Sequence, residues 1–62
     1  MIWYAVIYSD DYEWDTGSFD KERAIAMAEE MGATEIAIVD DGIDPTCIGT
    51  IVKDGDCWEV RR

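Results

Sequence analysis

The residues of this chain best suited to chemistry are its carboxylates. Fifteen Asp and Glu stand against five Lys and Arg, with no His, for a formal charge of −10. The first arrangement to test is a metal loop. Asp11, Glu13, Asp15 and Glu22 are spaced like the first, third, fifth and twelfth residues of an EF-hand, whose oxygen ligands converge on Ca2+. The match stops there: Thr16 stands where a glycine must make the sharp turn, Gly17 comes one residue late, and the segment before the loop is strand-like. So acidic a chain produces such spacings by chance, and the expectation is a charged surface loop with no metal.

Catalytic arrangements fare no better. The chain has no Ser/His pair, P-loop, GxGxxG or GxSxG, so nucleophilic and nucleotide chemistry lack their parts. Paired carboxylates are abundant, but acid–base work needs a cleft that splits their pKa values, which sequence spacing does not specify. The protein is expected not to be an enzyme and to use no cofactor. Cys47 and Cys57 flank a hairpin; with its turn centred on Asp54-Gly55, Val52 faces Cys57, Ile51 faces Trp58 and Cys47 faces Arg62. That separates the cysteines by roughly 17 Å, beyond the reach of a disulfide. Two free thiols that serve as packing residues fit a cytoplasmic protein, the expected compartment.

The elements that must position these residues follow from periodicity. Sixty-two residues, 48% hydrophobic, suffice for one domain, 1–62, with a small core. Residues 2–8 are apolar throughout and read as a central strand, far too short to span a membrane. Residues 9–17 are a loop or a hairpin returning through a short strand at 12–15. A helix is expected over 20–31, capped by Asp20, with Phe19 and Ala24 as a hydrophobic staple and Gly32 as its stop. Ala24, Met27, Ala28 and Met31 form its apolar stripe. A strand at 35–39 and a hairpin of 47–52 with 57–61 complete the chain. The fold class is therefore α+β: a small mixed sheet of three to five strands in the order β-α-β-β-β, with one amphipathic helix on one face.

Two surfaces result. If the helix is a right-handed crossover, strands 2–8 and 35–39 run parallel and one edge gathers Asp10, Asp11, Asp20, Glu22, Asp40, Asp41 and Asp44. A return strand at 12–15 would reverse the helix and break up that pole. Alternation along the first strand puts Trp3, Ala5 and Ile7 on one face and Ile2, Tyr4, Val6 and Tyr8 on the other. In the hairpin, Cys47, Gly49, Ile51, Trp58 and Val60 share one side. One helix covers one face, so the other needs the 9–17 loop, a partner or a second copy; Trp14 and Tyr12 are the loop residues able to fold over it.

The expected function is an acidic, non-enzymatic interaction protein. Asp10, Asp11, Asp40, Asp41 and Asp44 would occupy a basic site on a nucleic-acid-binding protein, mimicking the charge array of a DNA backbone. In composition alone this is similar to the compact acidic inhibitors of anti-CRISPR and antirestriction type found among phage-encoded antagonists. The alternative is a dimerisation or protein-binding module, a homodimer included, that uses an open sheet face carrying Tyr4 and Tyr8, with the acids serving solubility. The charge balance excludes nucleic acid and anionic membranes as direct partners. Lys21, Arg23, Lys53, Arg61 and Arg62 are too scattered and outnumbered to build a basic patch. Titrated against labelled duplex and single-stranded DNA at physiological salt, the protein should leave the anisotropy flat; a micromolar complex would contradict the reading.

Overall fold

The computed structural model describes residues 1–8 and 14–62. Apolar and β-branched residues in β1 (Ile2–Ile7) and β3 (Glu35–Asp40) build the centre of a five-stranded sheet. They pair antiparallel, Ile2 opposite Asp40 and Ile7 opposite Glu35. The sheet order is β2 (Gly17–Ser18), β1, β3, β4 (Thr46–Asp54), β5 (Cys57–Arg61), and every pairing in it is antiparallel. The α+β class and the single helix agree with the sequence reading. The mixed sheet does not, nor does the parallel pairing of 2–8 with 35–39 that a right-handed crossover would give; the alternative, a return strand that reverses the helix, is the one found.

The reason is β2. This two-residue strand returns along the outer edge of β1, Ser18 opposite Tyr4 and Gly17 opposite Ala5, so the chain enters the helix already reversed. The return strand expected at 12–15 thus forms later in the chain, at Gly17–Ser18. Its close seating requires glycine, because a Cβ on Gly17 would collide with the carbonyl oxygen of Tyr4.

The helix α1 (Lys21–Met31) has the expected ends. Asp20 Oδ1 accepts from the Glu22 N–H at 3.1 Å, and Gly32, at φ 74°, turns its N–H back to the carbonyls of Ala28 and Glu29. Fully buried Ala24 and Ala28 form the helix's contact with the sheet, where their small side chains meet Val6, Ile36, Ile38 and Ile51. Phe19, expected to staple against Ala24, puts its ring edge-on to Trp3, centroids 4.7 Å apart.

The β4–β5 hairpin differs from expectation in register. Asp54 pairs with Cys57, and Val52 with Glu59 rather than Cys57. The turn residues are Gly55 and Asp56, with a positive φ of 65° at Gly55 alone, the pattern of a type II′ turn. A bulge adds a second change. Ile38 pairs with Gly49 but Val39 pairs with Cys47, so Ile48 is the extra residue and Cys47 moves to the face opposite Gly49 and Ile51. Both cysteines are free, and both are exposed rather than packed in the core.

Replacing Gly17 by Ala should destabilise the protein by about 1–3 kcal/mol, the usual effect of forcing atoms into a space already filled by backbone. A urea midpoint equal to that of the wild type would show that β2 is not seated this closely.

Candidate interaction surfaces

Among the described residues no charged side chain is buried, and every carboxylate except that of half-buried Glu35 belongs to an exposed residue. The ion pair among them joins Arg61 Nη2 to Glu59 Oε2 at 3.6 Å, on the surface. Asp20 accepts from the helix backbone and Glu29 from the Trp58 indole. The carboxylates of Asp40, Asp41 and Asp44 face solvent and can accept charge-assisted hydrogen bonds from a partner's Lys and Arg.

The antiparallel pairing of β1 and β3 divides these acids between the two ends of the sheet. At the end where β1 begins, Asp40 closes β3, the Asp41 N–H donates to the Met1 carbonyl at 2.8 Å, and the Asp44 carbonyl accepts from Thr46 Oγ1 at 3.0 Å. Asp20 and Glu22, at the start of α1, lie toward the same half, because α1 runs back from β2 to the β3 residue beside Ile7. Glu35, Asp54 and Asp56 occupy the other end. Of the seven acids expected at one edge, the described five, Asp20, Glu22, Asp40, Asp41 and Asp44, lie toward this half. Asp10 and Asp11 lie outside the described residues, as do Tyr12 and Glu13. Of the calcium-like spacing only Asp15 and Glu22 can be placed, and β2 lies between them. Among the described residues no cluster of three potential metal ligands forms.

One exposed apolar residue beside these acids has no counterpart among the expected site residues. Ile43 is fully exposed between Asp41 and Asp44, in the connection from β3 to β4. Its signal was an isoleucine in a turn-forming run with no strand alternation around it.

The sheet faces are the reverse of the expected assignment. Tyr4 belongs to the helix-covered side, packed with Ile2 and Val6 against the cluster of Ala24, Ala28 and Ile36. It is therefore not on an open face. Tyr8 follows the end of β1 and is exposed. The second face carries Trp3, Ala5 and Ile7 with Ala37 and Val39, and Trp14 folds across it. Trp3 Nε1 donates to the Trp14 carbonyl at 2.8 Å, which fixes the loop's return and satisfies the indole. Under this cover Ala5, Ala37 and Val39 are buried. The remainder of that face, on β4 and β5, carries Thr50, Val52, Glu59 and Arg61, a polar mixture able to face water.

No helix among the described residues is long and apolar enough to cross a membrane. No protein-family model matches the chain, and comparison with curated proteins and with solved structures finds no match.

Because Trp14 is the lid of the second face, Trp14→Ala should lower stability by about 2 kcal/mol, less than the loss at a fully buried tryptophan. It should also raise the binding of an apolar dye. A variant with unchanged urea midpoint and no added dye binding would show that the face does not need this cover.

Proposed function

We propose that this protein is a non-enzymatic inhibitor-like interaction protein whose acidic end docks into a basic, nucleic-acid-binding site on another protein. The observation that carries the reading is the group of exposed carboxylates of Asp40, Asp41 and Asp44 around fully exposed Ile43. Antiparallel neighbours anchor this connection on both sides, so its acids are displayed from a fixed base. A rigid display reduces the ordering that binding would otherwise require. Ile43 adds an apolar contact at the centre of the charged ones, the arrangement in which charges steer the encounter and a desolvated side chain holds the complex.

The five described acids toward one end make a short array. It matches a small patch of Lys and Arg better than a long duplex channel. Asp10 and Asp11 remain candidate contacts on charge alone. The alternative of an open aromatic sheet face draws no support from Tyr4, whose side of the sheet is occupied by the helix.

Affinity capture from the native host, followed by titration against the isolated partner, tests the proposal. Changing Asp40, Asp41 and Asp44 together to Asn should weaken the complex by about 1 kcal/mol or more per lost pair and flatten its salt dependence. Folding stability should hold or rise as self-repulsion falls. Tyr8→Ser should leave affinity unchanged. Binding by the triple variant that equals the wild type at every salt concentration would end the acidic-docking reading.

A further inference from the structure

The two edges of the sheet are treated differently. The β2 edge is two residues long and is flanked by Asp15 and Asp20, a short and charged border of the kind that resists pairing. The β5 edge is five residues, Cys57–Arg61, without proline or glycine. Arg61 and Arg62 gather there two of the chain's five basic residues. Its Val60 is exposed at 50%, although it continues a row of β-branched residues running from Val6 through Ile36 and Ile51.

The direction of the free backbone groups on β5 follows from its neighbours. The Lys53 N–H donates to the Thr34 carbonyl at 2.9 Å, away from β5, so the Lys53–Trp58 pair is not a hydrogen-bonded one. By alternation Cys57, Glu59 and Arg61 bond inward to β4. Trp58, Val60 and Arg62 present their N–H and C=O groups to the open edge.

Several registers let one such edge pair with a copy of itself, and charge opposes those centred on Glu59 or Arg61. A two-fold axis at Glu59 sets Glu59 against its equivalent, and one at Arg61 sets two arginines together. An axis at Val60 does neither. It places Val60 opposite Val60 as a hydrogen-bonded pair, Trp58 opposite Arg62, and Glu59 opposite Arg61 twice over as non-hydrogen-bonded pairs, where side chains are closest. Each Glu59, already 3.6 Å from its own Arg61, then lies between two guanidinium groups. Each Arg62 is brought to the indole of the other copy's Trp58, a cation–π partner.

We infer that the β5 edge is a self-complementary interface, through which two copies join antiparallel about Val60 into one continuous ten-stranded sheet. The row Val6, Ile36, Ile51, Val60 would then run on into its own image, isologous as a two-fold contact must be. The interface uses none of the carboxylates of the Asp40–Asp44 connection, and a dimer would present two acidic docking ends.

Sedimentation velocity at physiological salt, over low micromolar to millimolar protein, should show a monomer–dimer equilibrium. Glu59→Arg and Arg61→Glu should each weaken the dimer about tenfold or more, since each sets like charges opposite one another. An equimolar mixture of the two variants should associate again, because the arginine introduced in one then faces the glutamate introduced in the other. Val60→Pro should abolish association while retaining the circular dichroism of the fold, because the N–H it removes points away from β4 and is not part of the β4–β5 ladder. A wild type that stays monomeric throughout overturns the inference. So does a dimer that survives Val60→Pro, and so does a mixture that stays apart although both variants are folded.

Discussion

The antiparallel pairing of β1 with β3, Ala5 opposite Ala37, is the constraint on which the other features depend. Both strands are buried on two sides, so their direction decides where every connection emerges. With β3 reversed, α1 must cross the sheet from the half where β1 begins to the end where β1 finishes. Acids at the two strand ends then part, Asp40 beside Ile2 and Glu35 beside Ile7. A strand of this length separates the ends by about 20 Å, more than twice the screening length of roughly 8 Å at physiological salt. Carboxylates at one end therefore scarcely feel those at the other. A chain with a formal charge of −10 is better accommodated in this arrangement than with its acids gathered at a single edge.

The core that must withstand the remaining repulsion contains no buried polar or charged side chain among the described residues. Its substance is Val6, Ile36, Ile38, Val39 and Ile51, and its closeness comes from alanine. Ala24 and Ala28 bring the helix down on one side of the sheet, and Ala5 and Ala37 make room for Trp14 on the other. Small residues thus substitute for the second layer of secondary structure that 62 residues cannot supply. The indole bond from Trp3 to the Trp14 carbonyl makes that cover a specific seat rather than a loose hydrophobic contact.

Features set by local chemistry were legible in the sequence. The helix could be read from Asp20 to Gly32, its alanine stripe from the spacing, the hairpin from its glycine turn and alternating apolar residues, and the return of Trp14 from the need to cover a second face. Features set by long-range choices were not. Gly17–Ser18 carries no strand pattern, yet these two residues reverse the helix and with it the direction of β3. Alternation correctly separated Tyr4 from Trp3 but could not say which set the helix would take. Cys47 changed sides through a bulge at Ile48, an insertion that shifts one strand past another without any signal in composition. Asp54-Gly55-Asp56 admits two turn placements, and positive φ at Gly55 as the first central residue selects Gly55-Asp56 over the Asp54-Gly55 expected from sequence.

Helix width explains why the β4–β5 hairpin is built as it is. A helix about 10 Å across covers two or three strands spaced about 4.8 Å apart, so a single helix centred near β1 cannot reach the far side of a five-stranded sheet. The uncovered strands must satisfy themselves. Ile51 stays buried beside Ile36, and beyond it Trp58 spans the gap, its Nε1 donating to Glu29 Oε1 at 3.0 Å and its ring lying under Lys53 Nζ at 6.0 Å. An amphipathic indole suits this border because its ring covers apolar surface while its N–H reaches a carboxylate at the helix margin. Past Trp58 no described residue covers the sheet, and Val60 emerges half-exposed. The exposed valine at the edge is thus a consequence of spreading five strands under one helix, and the alternating Glu59 and Arg61 on its flanks determine what that edge can meet.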